Sequence, residues 1–409
     1  MELPTPKRER LFQHMLIVLA FAIPWAKKAL PSIIVISLLV ALFYVIRKRT
    51  IFKPKEPLAP LSLIALFFLL LLGTTYTEHP YEAWNEIGIK LSFFVFPLLA
   101  FITPNLSKSQ TSEIQYAFLA GCFLFIGIAA SHSTYETVQH QDIYYTTYDR
   151  LSWYMHPTYA ALYQTFALYL LCSLFFRRQF LFNNRSIHVG AILMVLIFIA
   201  LLSSKAGYLA TLFVLVYSLA QSIRLGWSLT RSISTIAVAI SLFVLTILNL
   251  RTTSQRVENA LHDLSAVEVN RSQNDTTSLQ ATSTNMRLLT WQASATVLLE
   301  NPFGTGTGDT QEALNTIYLQ HSATHPAEKN LNAHNQFLQL GAELGWPGLL
   351  VILLCLFALW NFGKRDQTIR LLALVCGLNF LFESMLEVQA GIVFFCFWVF
   401  TYSKSSDEE

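Results

Sequence analysis

The chain has 409 residues, of which 54% are hydrophobic and only 13% are charged. A soluble domain carries about 25% charged residues, so this composition excludes an ordinary soluble protein and indicates a membrane protein. The net charge of +3 gives no reason to expect nucleic acid as a partner. The five cysteines all fall in apolar stretches, where they are typical of small core residues rather than of disulfides or a metal site.

The apolar segments predict the fold class. A helix needs about 20 residues to cross a bilayer, and helices satisfy their own backbone hydrogen bonds in lipid. We therefore predict an all-α polytopic membrane protein with about twelve transmembrane helices. The segments lie near residues 11–26, 30–46, 57–73, 90–103, 114–131, 152–176, 187–203, 206–222, 233–250, 335–361, 367–383 and 388–402. Residues 82–90 are typical of an interfacial segment.

The distribution of lysine and arginine predicts the orientation. Cytoplasmic loops of membrane proteins carry an excess of these residues. With the amino terminus inside, 18 of the 28 basic residues fall at cytoplasmic ends and loops, and the other 10 are spread over longer loops. We therefore predict that both termini are cytoplasmic, and no cleavable signal peptide is evident.

The largest polar segment, residues 251–333, lies outside in this topology, between the ninth and tenth spans. It carries five basic and eight acidic residues. We therefore divide the chain into residues 1–250 with spans one to nine, the outer loop 251–333 with short helices, and residues 334–409 with spans ten to twelve and a cytoplasmic tail. Outer loops this polar predict work on a hydrophilic substrate.

The outer loop ends in two ordered elements. Residues 286–300 have the apolar spacing of an amphipathic helix, and a glycine-rich turn at residues 301–309 stops it. Asp309 and Glu312 resemble a capping box that opens a further helix. The turn, with Gly306 at its centre, either presents backbone N–H groups to an anion or is a tight turn that needs positive φ.

Two cations are candidates for binding a ligand. The planar guanidinium of Arg287 suits phosphate oxygens, although a basic residue near an interface also binds lipid headgroups or snorkels. Lys205 follows an apolar run in a turn too short for a soluble loop. A charge at that depth is costly unless it faces a cavity or pairs with another group.

His334 lies where the outer loop re-enters the membrane. It is either a satisfied interfacial histidine or a group that accepts a proton in catalysis. Gly341 and Gly345 follow on one helix face and allow close approach of a helix or a lipid chain. Pro347 predicts a kink. Glu343 is expected to pack or pair rather than to act with His334.

Four further residues near the outer face are weaker candidates. Arg150 and His156, at the outer end of the sixth span, either line a substrate path or anchor the interface. Glu383 and Glu387 flank the last outer turn, where they either orient His334 or an acceptor sugar, or are simply solvated.

These motifs together resemble the signature of the O-antigen ligase and O-antigen polymerase superfamily. The resemblance is carried by residues 334–348 (His-Asn-Gln-Phe-Leu-Gln-Leu-Gly-Ala-Glu-Leu-Gly-Trp-Pro-Gly), by residues 287–294 (Arg-Leu-Leu-Thr-Trp-Gln-Ala-Ser) and by the turn at 301–308. Residues 203–207 resemble the family's Ser-Arg-Gly turn, with Lys205 in place of the arginine. The front half of the chain agrees in topology only.

The resemblance implies a glycosyltransferase at the periplasmic face of the bacterial inner membrane. The donor would be a glycan on undecaprenyl diphosphate, and the acceptor a hydroxyl of lipid A–core or of another glycan. His334 would be the general base, and Arg287 and Lys205 would hold the diphosphate while the anomeric carbon inverts. The resemblance implies no cofactor and no metal.

Several alternatives remain open at this point. Within the superfamily we favour a ligase over a polysaccharide polymerase or a protein O-oligosaccharyltransferase. A transporter would need polar groups through the middle of the membrane, in paired broken helices, and most spans lack them. A peptidoglycan glycosyltransferase of the shape-and-division type would be expected to depend on an acidic residue in the outer loop.

Overall fold

The described part of the chain is built from α-helices. The computed structural model describes residues 7–48, 52–249, 283–321, 323–363 and 366–405. These ranges contain no strand, only an isolated β-bridge between Leu106 and Ser405. The helices are, in chain order, α1 (Lys7–Ala22), α2 (Leu30–Lys48), α3 (Leu58–Gly73), α4 (Pro80–Lys90), α5 (Ser92–Ile102), α6 (Lys108–His140), α7 (Tyr148–Leu151), α8 (Pro157–Phe176), α9 (Arg185–Leu201), α10 (Lys205–Arg224), α11 (Leu229–Asn249), α12 (Ser283–Glu300), α13 (Thr310–Gln320), α14 (Thr324–Glu328), α15 (Gln336–Phe362), α16 (Gln367–Phe382) and α17 (Gln389–Lys404).

The length and apolar character of these helices make the chain a multi-pass membrane protein. Six helices in the described ranges are long and apolar enough to cross a bilayer: α4 with α5, α6, α8, α10, α11 and α15. Shorter apolar helices lie at Leu11–Ala22, Leu30–Phe43, Leu58–Gly73, Arg185–Leu201 and Gln367–Phe382. The all-helical membrane fold is confirmed, whereas twelve crossings stay a prediction.

Helix α6 is longer than the predicted span at 114–131. It has 33 residues and continues into the polar segment between the predicted spans at 114–131 and 152–176. Glu136 lies one turn from both His132 and His140, with N–O distances of 3.7 and 3.2 Å, and such i,i+4 pairs support an exposed helix. The helix ends at Gln141, whose φ is +52°.

Helix α8 is the centre of the bundle. Its most apolar window is 94% buried, so it packs against protein rather than lipid. Polar side chains within it find partners on neighbouring helices: the Tyr163 hydroxyl donates to the Ala390 carbonyl at 2.8 Å, and the Gln164 amide donates to the Cys122 carbonyl at 3.3 Å. These bonds fix how α6, α8 and α17 pack.

Helix α15 is broken at Gly345, where φ is +67° and ψ is −160°. Pro347 has no N–H, so the Glu343 carbonyl four residues earlier loses its helical donor. The glycine-rich turn supplies the missing bonds: the N–H groups of Thr305 and Gly306 donate to Ala342 and Glu343 at 2.9 and 3.1 Å. The predicted kink is therefore real, but it lies two residues before the proline.

The helix break also explains why both motifs contain glycine. In return, Trp346 N–H donates to the Pro302 carbonyl of the turn at 3.0 Å. An added Cβ at Gly345 would overlap the Pro302 carbonyl and lie 2.6 Å from Gly304 N. Gly304 itself has φ +84°. Each glycine thus makes room for the backbone of the other motif.

We expect Gly345→Ala to destabilise the protein strongly. The backbone strain alone costs about 1–3 kcal/mol, and the overlap with Pro302 adds to it. The matched control is Gly127→Ala in α6, because an added Cβ there meets no atom within 4 Å. Apparent melting temperatures of the two variants in detergent provide the measurement. Equal melting temperatures would show that the two motifs do not lock together in this way.

Candidate functional site

One cavity collects the side chains of segments that are far apart in the sequence. Its volume is about 240 Å³. It lies where the start of α8, the start of α10, the start of α12 and the loop before α15 meet. Its lining residues are Tyr148, His156, Thr158, Ser203, Ser204, Lys205, Met286, Arg287, Leu331, His334 and Glu383.

The backbone around His334 is fixed by hydrogen bonds on both sides. The His334 N–H donates to the Asn332 side chain at 3.0 Å, and its carbonyl accepts from the Trp291 indole at 3.3 Å. Asn335 caps α15 by accepting from two N–H groups of its first turn. His334 has φ +45°, a conformation that costs a non-glycine residue energy and often marks a functional position.

Glu383 orients the imidazole of His334. Its carboxylate Oε1 lies 3.4 Å from His334 Nδ1, and the Glu383 side chain is only 9% exposed. Burial alone would raise the pKa of Glu383, but the hydrogen bond from His334 and the nearby charge of Arg287 hold it below its usual value. A charged carboxylate accepts Nδ1–H, which leaves Nε2 as the nitrogen that can take a proton.

Arg287 and Lys205 give the cavity its positive charge. Arg287 is the fifth residue of α12, and Lys205 is the first residue of α10. The Ser204 hydroxyl caps α10 by accepting from Gly207 N–H at 3.2 Å. The amino-terminal end of a helix adds a partial positive charge to that of the lysine, so an anion is favoured here.

Gly207 is what brings Lys205 to the cavity. A Cβ at Gly207 would lie 2.5 Å from the Cβ of Ala161 in α8. The start of α10 therefore packs directly on the start of α8, whose cap is His156. The Ser-Ser-Lys-Ala-Gly motif thus contains a cap, a cation and a packing glycine.

His156 contributes an uncharged ring to the cavity. Burial lowers its pKa, with the nearby charges of His334 and Arg287 acting in the same direction and Glu383 opposing them. Its Nδ1 accepts the Thr158 N–H at 3.4 Å and so caps α8. Because these effects hold the pKa of His156 below the usual value near 6.5, the ring is neutral at pH 7 and adds no charge to the site.

Three predicted site residues lie outside the cavity lining. The Arg150 guanidinium lies over the Tyr145 ring, 5.1 Å from its centroid. The Gly306 N–H is already bonded to the Glu343 carbonyl. The Glu387 carboxylate is bonded to Lys90 and Gln336. The structure therefore brings together His334, Arg287, Lys205, His156 and Glu383, but not these three.

Comparison with known families covers three of these five residues. The segment 189–353 matches the family model described as O-antigen ligase. This segment belongs to the O-antigen ligase superfamily. It contains Lys205, Arg287 and His334, while Glu383 lies beyond it. A comparison with curated proteins found no match. Members of the family are glycosyltransferase-like membrane enzymes that act on lipid-linked glycans.

A buried ion cluster lies beside this cavity. Lys90 Nζ lies 2.8 Å from Glu343, 2.9 Å from Glu387 and 3.3 Å from Glu86. Glu343 therefore pairs, as predicted, but its partner was not foreseen. In the described part of the chain these carboxylates are close enough to hold a metal ion, and the Lys90 ammonium lies among them.

The ion cluster also holds the segment that carries Glu383. Gln336 Nε2 donates to Glu387 at 3.0 Å, and its Oε1 accepts from Leu386 N–H. The segment 383–387 is thus bonded to His334 at one end and to Lys90 and Gln336 at the other. Because Gln336 lies two residues after His334, the ion cluster also restrains the position of the His334–Glu383 pair.

Asp309 joins the glycine-rich turn to the loop after α3. It does not form the predicted capping box. Its carboxylate instead accepts from the Thr77 hydroxyl at 2.5 Å, from the Glu78 N–H at 2.9 Å and from the His79 ring at 3.0 Å. His79 Nε2 also lies 3.1 Å from Glu312. The contact clamps the turn that covers the break in α15.

This contact is expected to depend on pH. The hydrogen bond to Asp309 raises the pKa of His79, so its contribution is complete below about pH 6.5 and is lost as pH rises through the raised value. Burial would raise the pKa of Asp309, but its hydrogen bonds lower it, so its contribution is lost only in strong acid. The melting-temperature difference between wild type and His79→Gln should be largest between about pH 4 and 6.5. A difference that grows above pH 7 would contradict the ion pair.

Proposed function

We propose that the protein is an O-antigen ligase that transfers a glycan from undecaprenyl diphosphate to a sugar hydroxyl of lipid A–core. The reaction takes place at the periplasmic face of the bacterial inner membrane and inverts the anomeric carbon without a metal. One observation carries the proposal: an oriented His334–Glu383 pair and the two cations Arg287 and Lys205 line the same cavity.

The chemistry follows from the roles that these side chains can fill. His334 Nε2 takes the proton of the acceptor hydroxyl as its oxygen attacks the anomeric carbon. The bond from that carbon to the diphosphate oxygen breaks, and its electron pair leaves with the lipid diphosphate. Arg287 and Lys205 stabilise the growing charge. Glu383 stabilises the imidazolium that His334 becomes.

The diphosphate leaving group explains why the reaction needs no general acid from the cavity. A diphosphate held by two cations leaves without being protonated, so no general acid is needed. Glu383 is the cavity's carboxylate in the described residues, and it is bonded to His334 Nδ1. It therefore acts on the base rather than on the leaving oxygen.

The decisive experiment offers one donor to three acceptors. The purified protein in nanodiscs receives an undecaprenyl-diphosphate-linked glycan together with lipid A–core, further donor or a serine-containing peptide. Transfer to lipid A–core supports the proposal. Elongation of the donor would make the protein a polymerase, and transfer to the peptide would make it a protein O-oligosaccharyltransferase; either result overturns the ligase assignment.

The proposed orientation predicts where introduced cysteines react. Ser272 lies in the outer loop, outside the described residues, and Ser272→Cys should react with an impermeant maleimide in intact spheroplasts. The native cysteines are buried and give little background. The matched site is Phe182→Cys, which is exposed between α8 and α9 and should react only after lysis. The reverse pattern would overturn the orientation and place the cavity in the cytoplasm.

A further inference from the structure

A second polar cavity lies at the opposite end of α8 from the candidate active site. It has a volume of about 310 Å³. Helix α8 runs from Pro157, beside His156, to Phe176, and its 20 residues span about 30 Å. That length equals the hydrocarbon thickness of a bilayer. Helix α16 also joins the two cavities, since Asp366 lies at one end of it and Glu383 at the other.

The lining of this second cavity combines cations, hydroxyl groups and an apolar floor. The polar lining residues are Lys108, Thr111, Ser112, Gln115, Tyr116, Ser173, Arg177, Gln179, Asp366, Gln367, Thr368 and Ser405. The apolar ones are Leu119, Leu170 and Leu174. In the described part of the chain, neither Lys108 nor Arg177 forms an ion pair with a carboxylate. Both cations are thus available to an anion.

Two long helices begin at this cavity. Helix α6 starts at Lys108 and α16 starts at Gln367. The positive end of each helix dipole therefore lies at the cavity, and an anion gains from both. The opposing charge is Asp366, whose carboxylate accepts the Thr368 N–H at 2.7 Å and caps α16. The carboxyl-terminal ends of α8, at Arg177, and of α17, at Ser405, also lie at the cavity, so their partial negative charges offset those of the two helix starts. The charge that favours an anion is therefore that of the two side-chain cations over the one carboxylate.

We propose that this cavity binds the phosphate of an anionic phospholipid headgroup at the membrane face opposite the candidate active site. Lys108 and Arg177 contact the phosphate oxygens, and the hydroxyls of Thr111, Ser112 and Tyr116 surround the headgroup. Leu119 and Leu170 are almost fully buried, but Leu174 is partly exposed and offers an apolar contact to the first carbons of an acyl chain, which free phosphate would not use. The inference does not depend on the proposed glycosyl transfer.

The test compares two neighbouring arginines in the full-length protein. Both arginines are exposed, but Arg177 lines the cavity and Arg178 does not, so Arg177→Gln removes a lining cation and Arg178→Gln is the control. Each protein is extracted from nanodiscs of phosphatidylcholine with a fixed fraction of phosphatidylglycerol, and retained lipid is counted by native mass spectrometry. We expect about tenfold weaker retention of phosphatidylglycerol in Arg177→Gln, and in Lys108→Gln, with no change in Arg178→Gln.

A second measurement distinguishes the two sources of phosphate. Wild type in pure phosphatidylcholine is titrated with inorganic phosphate, and its melting temperature is recorded. The lipid site is supported if the wild type retains phosphatidylglycerol and Arg177→Gln loses it. Stabilisation by inorganic phosphate without retained lipid would overturn it in favour of a soluble anion. Equal loss in Arg177→Gln and Arg178→Gln, or retention unchanged in both, would show that the cavity binds no phosphate.

Discussion

Replacing His334 by glutamine should lower glycan transfer by about 10²–10⁴-fold, the usual contribution of a general base. The amide can hydrogen-bond the acceptor hydroxyl, but it cannot take its proton. The hydrogen bonds that hold this loop do not use the imidazole. Asn332 and Trp291 bond to the His334 backbone, and Asn335 caps α15 with its own side chain. The fold should therefore survive the substitution. Single-turnover transfer, with the donor bound in advance, measures the loss separately from binding.

The controls for His334 use other ionisable residues of the chain. His79→Gln removes a histidine outside the cavity and should transfer at the wild-type rate. Glu383→Gln keeps the base but removes the charge that orients it, so it should show a smaller loss and an altered pH profile. The acid limb of the wild-type profile should be absent from the residual activity of His334→Gln. Retention of more than about a tenth of activity would reduce His334 to positioning the acceptor.

The site residues that sequence alone identified are those whose position is set by local structure. Lys205 is the first residue of α10, Arg287 is the fifth residue of α12, and His334 lies two residues before α15. Apolar periodicity and the Ser, Asn and Gly residues beside these helices mark such starts. Helix starts at one membrane face lie at one depth, so the residues that open them meet.

The buried ion cluster could not be predicted in the same way. Lys90 and Glu343 are 253 positions apart, and no local pattern links them. Lys90 ends the segment 82–90, whose composition predicts an interfacial position. The structure instead buries the Lys90 side chain between α4, α15 and the turn before α17. Glu387 is a candidate from sequence because it flanks the last outer turn, whereas the structure pairs its carboxylate with Lys90.

Asp309 and the kink in α15 both differ in detail from what local rules predict. A capping box and a proline kink depend on neighbouring residues in the sequence, whereas tertiary contacts act on both positions. Asp309 accepts three bonds from the segment 77–79 instead of capping its helix. The break in α15 lies at Gly345, next to Trp346, whose N–H donates to the Pro302 carbonyl. Tertiary hydrogen bonds overrode local preference in both cases.

Removing the guanidinium of Arg287 should lower transfer by about 10²–10³-fold, as the loss of one preorganised donor to a developing charge does. Arg287→Ala should also weaken inhibition by free undecaprenyl diphosphate, since the same contact holds the diphosphate before and after the bond breaks. Lys205→Arg should keep its activity, because arginine retains the charge at the start of α10 and presents a planar fork of donors that suits phosphate oxygens. Initial rates and inhibition constants of these variants provide the measurement.

Arg150→Ala is the matched control for Arg287→Ala, because it removes an arginine on the same side that stacks on Tyr145 instead of lining the cavity. It should leave both the rate and the inhibition constant unchanged. If Arg287→Ala folds normally and transfers at the wild-type rate, the diphosphate is not held at this cavity. If it loses rate but keeps wild-type inhibition, Arg287 acts only on the charge that develops as the bond breaks, and Lys205 alone binds the diphosphate in the ground state.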